Sequence, residues 1–281
     1  MTDRAIKRAI PSMETSDGAG VRIRRSLGQT QLVRLDPFLM LDEFGSDQPQ
    51  DYLAGFPSHP HRGFETVTYM IEGHMLHEDH LGNRGNLLSG GVQWMTAGRG
   101  IIHSEMPQQE EGMMRGFQLW LNLPAAEKMK DAGYRDIQPD EIPQITTAGA
   151  DIKLIAGTLA VEGKEYRGSV TGGSTEPLYA DLHLAPDGQV TLPVAGHLNA
   201  FIYLYEGAVR IAGKDVPTAS ATILDQGDQV TLMAGPTGAR ALLIAGRPLN
   251  EPVVQYGPFV MNSREEIEQA LQDVRNGRLT A

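Results

Sequence analysis

Apolar residues in this chain come in short runs, and turn-forming residues bound nearly every run. Val21-Arg-Ile23-Arg alternates apolar and charged residues. Thr66-Val-Thr-Tyr-Met-Ile71 is rich in β-branched and aromatic side chains, and Gln118-Leu-Trp-Leu121, Lys153-Leu-Ile-Ala156, Phe201-Ile-Tyr-Leu-Tyr205 and Ala241-Leu-Leu-Ile-Ala245 are similar. Between them stand Asp17-Gly18, Gly82-Asn83, Gly90-Gly91, Pro186-Asp-Gly188, Gly213-Lys-Asp215 and Pro236-Thr-Gly238. Strands at this spacing build sandwiches or barrels. The 32 glycines and 17 prolines among 281 residues agree, because so turn-rich a chain favours an all-β fold over a bundle or a doubly wound sheet.

One helix is expected near the end, at about 263–276. Ser263-Arg-Glu-Glu266 reads as a capping box, with the Ser hydroxyl on a backbone N–H and the Glu reaching back. Ile267, Ala270, Leu271 and Val274 follow at the spacing of one helix face, and Gly277 offers a stop. A short helical turn is expected at 125–129.

A weak repeat divides the chain. Tyr69-Met-Ile-Glu-Gly73 recurs as Tyr203-Leu-Tyr-Glu-Gly207, an offset of 134 residues, and each copy leads into a hairpin and a Gly-rich segment. Two antiparallel β-barrels in tandem are the simplest reading. Their expected bounds are 1–132 and 151–281, the second ending in the helix, with 133–150 as a linker.

Lys plus Arg number 24 against 35 Asp plus Glu, a formal charge of −11. That argues against a general nucleic-acid binder or a polybasic membrane surface. There is no cysteine, hence no disulfide, thiolate metal site or cysteine nucleophile. The N-terminus has no apolar h-region and no apolar run can span a bilayer, so a cytoplasmic protein is expected. No GxGxxG, P-loop or GxSxG elbow is present.

Six of the eight histidines fall before residue 104. His59-Pro-His61 and His103-Ser-Glu105 are both i, i+2 pairs, and on a strand such residues face one side. Three nitrogens and a carboxylate on two facing strands suit a divalent first-row metal. An octahedral ion would keep two positions open for O₂ or substrate, whereas a tetrahedral zinc site would keep none. His74, His77 and His80 match no compact strand or helix face, and their reading is a solvated hairpin. Trp94, Met95 and Gln118 are expected along the first barrel's cavity and Trp120 in its core. In the second half, adding 134 to the ligand numbers gives Pro193, Ala195, Thr237 and Ala239, none of which binds metal.

At His59-Pro-His-Arg-Gly-Phe-Glu-Thr-Val67 and Gly98-Arg-Gly-Ile-Ile-His-Ser-Glu-Met-Pro107 the sequence resembles the pirin family. Leu35-Asp-Pro-Phe-Leu39, Gln93-Trp-Met-Thr-Ala97, Leu119-Trp-Leu-Asn-Leu123 and Gly257-Pro-Phe-Val-Met-Asn262 extend the resemblance over nearly the whole chain. The resemblance implies a bicupin, two tandem antiparallel cupin barrels of which only the first binds metal. Its ligand set falls on His59, His61, His103 and Glu105. Fe(II) is the implied metal, with Mn, Ni, Cu, Zn and Co as other divalent ions. In the wider cupin superfamily a Glu four residues after His-x-His often ligates, which here is Glu65. The pirin pattern assigns Glu105 instead and leaves Glu65 to orient a ligating imidazole, with Phe64 beside the site.

The implied activity is quercetin 2,3-dioxygenase, in which a flavonol or similar enolisable aromatic reacts with O₂ and its ring opens with loss of CO. Glu105 is the expected base for the substrate hydroxyl. The alternative is a non-enzymatic iron-binding regulator that docks on a protein partner. No direct nucleic-acid or membrane partner is expected.

Overall fold

The computed structural model describes all residues, 1–281. The chain is all-β with one α-helix and divides into two compact units, each drawing on separated stretches of sequence. One unit comprises Met13–Arg34, Phe38–Pro139 and Leu249–Ala281; the other comprises Met1–Ser12, Leu35–Pro37 and Asp140–Pro248.

The unit holding the histidine pairs has a seven-stranded sheet. Its order is Gly133–Ile137, Val92–Thr96, Phe64–Glu72, Met114–Asn122, Phe38–Ser46, Val21–Arg25, Met13–Asp17. A four-stranded sheet runs Phe56–His61, Ile101–Pro107, His74–Asp79, Arg84–Leu88. The other unit has a nine-stranded sheet. Its main path is Ile6–Pro11, Ser220–Leu224, Asn199–Ile211, Gln229–Gly246, Leu178–Leu184, Ala150–Ala156, Gln144–Thr146. The ladders are antiparallel and the sheets are open rather than closed into continuous barrels.

The two large sheets share one plan. Tyr69 and Tyr203, the repeated tyrosines, are fully buried on equivalent strands, each flanked by two neighbours. The expected domain bounds are corrected at three places. Residues 133–150 are not a linker: Gly133–Ile137 is an edge strand of the first large sheet and Gln144–Thr146 an edge strand of the second. Short edge strands with polar residues leave little hydrophobic signature, which is why they read as a join. The first strand, Ile6–Pro11, pairs with Ser220–Leu224 and belongs to the second unit. The C-terminal stretch from Leu249 belongs to the first.

That last stretch is a hairpin, Val254–Tyr256 with Phe259–Met261, followed by the helix Arg264–Arg275. Ser263 caps it, and Glu266 closes the capping box. Ile267 and Ala270 are buried against Phe259, Met261 and Leu279, while Val274, the last residue of the expected face, is exposed. The expected turn near 125–129 is a 3-10 turn, Ala125–Glu127. No helix is long and apolar enough to cross a membrane.

Two buried cations tie this stretch to the strand carrying His59 and His61. Arg62 meets Asp273 at 2.8 Å and donates to the Leu279 carbonyl at 3.1 Å. Lys128 Nζ donates to the Gly63 carbonyl (2.8 Å), Asn122 Oδ1 (2.6 Å) and the Val260 carbonyl (3.0 Å). Gly63 has φ +92°, and a Cβ there would strike the Val260 carbonyl, so glycine is required at this close approach.

Burial pulls the Lys128 ammonium down to about 8 from its ordinary 10.5, against the raising influence of Glu251 and Glu266. The unfolded chain therefore binds more protons than the folded one between about pH 8 and pH 10.5. The cost is fully present below pH 8 and is relieved as pH rises through that window. Lys128→Met removes the titration. The stability of the native chain relative to this variant should rise by about 3 kcal/mol from neutral pH to the top of the window. Urea melts of both proteins at several pH values check this; a difference that stays flat contradicts it.

Candidate metal centre

The antiparallel pairing of Phe56–His61 with Ile101–Pro107 sets His103 opposite His59, and the i, i+2 spacing brings His61 to the same side. Ring centroids lie 4.6 Å apart for His59–His61, 4.4 Å for His59–His103 and 5.0 Å for His61–His103. One nitrogen from each ring falls in a cluster whose members all lie within 4.8 Å of one another.

The nitrogens on the far side of the His59 and His103 rings are held. His59 Nδ1 is 2.8 Å from the Pro57 carbonyl and His103 Nδ1 is 3.4 Å from His77 Nδ1, while the Pro258 carbonyl near His61 raises that ring's pKa against its burial. His61 Nδ1 and His103 Nε2 are buried without a hydrogen-bond partner. Burial, then neighbouring imidazoles, holds the His61 and His103 rings well below the ordinary histidine range, so both are neutral at pH 7 with a lone pair free. Orphaned neutral nitrogens converging on one point fit a divalent transition metal.

Glu105 stands on the same strand but outside the 4.8 Å cluster. Its Oε1 accepts from Thr68 Oγ1 and its Oε2 from Gln118 Nε2, both at 3.0 Å. Gln118 Oε1 in turn accepts from Trp120 Nε1 at 3.2 Å.

These partners belong to a polar row across the large sheet. Register aligns Arg25, Asp42, Gln118, Thr68, Gln93 and Asp136 on six successive strands, all on one face. Arg25 grips Asp42 with two bonds of 2.8 and 2.7 Å. Burial pushes the Asp42 carboxyl up to about 6, with Arg25 drawing it back down. In the second unit, the row through Ile202, the counterpart of Thr68, is Leu154, Ala180, Leu243, Ile202, Thr222 and Ala9. Its interior is filled by an aliphatic core, and its two histidines pair separately, His183 with Asp181 and His197 with Glu176.

A cavity of about 570 Å³ opens beside His59 and His61, walled by Leu39, Met40, Phe56, Trp120, Gln118 and Arg25. Gln118 lines it as expected. Trp120, expected in the core, does both: it packs with Phe64 and Val260 and also walls the cavity. Phe64 is fully buried beneath the site, edge-on to His61 at 5.2 Å and tilted against Trp120 at 4.3 Å.

Three expectations are corrected, two by strand parity and one by packing. Trp94 is one residue from Gln93 and faces the other side of the sheet. Met95 shares the inner face but packs with Ala97 and Ile101, away from the cavity walls. Glu65 also points to the other side, accepting from Thr96 Oγ1 at 2.6 Å with Lys130 at 3.7 Å, and touches no imidazole.

His77 is the residue the sequence reading missed. It is buried, not solvated, and stacks on Tyr134 with centroids 4.1 Å apart. Its parity with Asp79, and the pairing of Glu105 opposite it, carried a signal that counting histidines in the segment did not use. His80, on the following turn, is exposed as expected.

Comparisons with known proteins identify the family. Residues 20–121 match the family model described as Pirin, and residues 179–280 match the one described as Pirin C-terminal cupin domain. A Pseudomonas aeruginosa protein provisionally named quercetin 2,3-dioxygenase is 54% identical over 268 residues, covering 94% of each chain. Human pirin is 42% identical, covering 99% of this chain and 94% of its own. Among solved structures, a quercetin 2,3-dioxygenase from Acinetobacter baumannii superimposes with a TM-score of 0.90 at 32% identity, covering 99% of both chains. With both family models matched, and relatives this similar along nearly its whole length, the chain belongs to the pirin family.

Proposed function

We propose that this protein is a metal-dependent dioxygenase of the quercetin 2,3-dioxygenase type, acting on a flavonol or a similar enolisable aromatic with O₂, and that its metal is Fe(II). The observation that carries the reading is the convergence of three imidazole nitrogens beside an apolar-walled cavity. Its volume falls within the roughly 300–1,000 Å³ usual for small-molecule sites. The names of the Pseudomonas and Acinetobacter proteins point to the same chemistry.

In this reading His59, His61 and His103 hold the metal. When bound, Fe(II) supplies Lewis acidity toward an enolate oxygen and the redox chemistry that O₂ requires. Glu105 is the base that takes the proton from the substrate hydroxyl. Thr68 and Gln118 each donate to one of its oxygens, which orients the carboxylate toward the substrate side. Glu105, on the same strand as His103, would be the fourth residue to hold the metal. Trp120 and Phe56 offer aromatic faces to a flat substrate, while Leu39 and Met40 keep water from the reacting ring.

Oxygen uptake on adding quercetin to anaerobically Fe(II)-loaded protein tests the reading, with metal content assayed beside it. The native chain should hold about one ion and turn over, since a site of this kind binds one metal. His61→Ala and His103→Ala should remain folded and lose both metal and uptake. A metal-loaded native protein that consumes no oxygen contradicts the dioxygenase and leaves the iron-dependent binding protein that docks on a protein partner.

Trp120→Phe tests the cavity separately. Shortening this wall should raise KM several-fold, about 1 kcal/mol of lost aromatic contact, with metal content unchanged. Steady-state kinetics at matched metal loading check this; an unchanged KM contradicts the placement of the substrate.

A further inference from the structure

The third imidazole of the proposed centre is backed by a second one, and that by a carboxylate. His103 Nδ1 is 3.4 Å from His77 Nδ1, and His77 Nε2 is 3.2 Å from Asp79 Oδ2. Asp79 itself is anchored by donors alone. Its Oδ1 accepts from the backbone N–H of Leu81 (2.9 Å) and of Asn83 (3.1 Å), and its Oδ2 from Asn83 Nδ2 (2.9 Å). Tyr134 stacked on His77 fixes the plane of the middle ring.

Proton placement along this line has one consistent solution. Two facing Nδ1 atoms can bond only if one carries a hydrogen and the other does not. An ionised Asp79 only accepts, so His77 must carry its hydrogen at Nε2. His77 Nδ1 is then an acceptor, so His103 carries its hydrogen at Nδ1. That leaves a bare lone pair on His103 Nε2, the buried atom without a partner. Free imidazole in water favours the opposite tautomer, so the required form needs an external acceptor to hold it.

We propose that Asp79 and His77 are positioning residues that fix the Nδ1–H tautomer and ring orientation of His103, presenting Nε2 to a divalent metal. The proposal rests on the metal-site reading above. It assigns a role to the buried half of a histidine cluster that otherwise belongs to a surface hairpin. Carboxylate–imidazole support of a ligand from outside its coordination sphere is worth roughly 10- to 100-fold in metal affinity.

Two readouts test it, neither depending on turnover. Long-range ¹H–¹⁵N spectra of the metal-free protein report the His103 tautomer directly. Co(II) titration, followed by calorimetry and by the visible spectrum, reports affinity and coordination. The native chain should show the Nδ1–H form of His103. Asp79→Asn and His77→Phe should each give a mixture with the Nε2–H form and bind Co(II) roughly 10- to 100-fold more weakly. The double variant should be no weaker than His77→Phe alone, because Asp79 acts only through His77.

If Asp79 merely braces the turn, Asp79→Asn will cost the same in both backgrounds, and that result overturns the relay. Unchanged tautomer and affinity in the single variants, with Co(II) binding lost in His103→Ala, also overturn it while leaving the metal site standing. Co(II) bound by His103→Ala as tightly as by the native chain overturns the site and the relay together.

Discussion

Burying imidazoles side by side is tolerable only if the rings stay neutral and their outer nitrogens have somewhere to go. His61 and His103 meet the first condition, since burial and mutual proximity hold both below the usual histidine range. The second condition shapes much of the first unit. His59 turns back to the Pro57 carbonyl on its own strand. His61 lies beside the Pro258 carbonyl, which arrives from the far end of the sequence. His103 needs His77, which arrives from the neighbouring strand. What is left over is a set of lone pairs with no protein partner, and that surplus is the strongest argument for an ion between them.

The C-terminal stretch packs as part of the first unit, beside the histidine strand. Arg62 and Lys128 fasten it there with buried, multiply satisfied charges, at the residues directly after His61 and around Gly63. A buried cation left without its acceptors costs several kcal/mol, so these contacts specify where the stretch docks as well as holding it. The two units then differ by what their equivalent rows contain. One row is Arg25, Asp42, Gln118, Thr68 and Gln93, able to hold a carboxylate in place. The other is Leu154, Ala180, Leu243 and Ile202, able only to pack. One sheet plan thus yields a chemical interior in one copy and a hydrophobic core in the other.

Much of this was legible in the sequence. Short apolar runs and turn dipeptides encode strands through period-2 burial, and Ser263 with Glu266 encodes a helix start, because both signals are local. The i, i+2 histidine pairs were legible for the same reason. The remainder depended on pairing partners far apart in the chain. Ile6–Pro11 and residues 249–281 carry strand and helix signals but nothing that names the unit they join. Gly133–Ile137 is half polar because its inner face meets the polar row, which disguised it as a linker. Trp94 and Glu65 lie on the opposite face because one step along a strand reverses it, while Met95 has the right parity but packs with Ala97 and Ile101. His77 was lost because parity went unweighed, since its alternation with Asp79 was present in the sequence.

The central claim is that one divalent metal sits among His59, His61 and His103. X-ray absorption at the iron edge of anaerobically Fe(II)-loaded protein addresses it most directly, because imidazole rings scatter with a recognisable multiple-scattering pattern. The account requires a first shell containing three imidazole nitrogens, completed by oxygen ligands. A shell of oxygen atoms without imidazole scattering would place the metal elsewhere and contradict it.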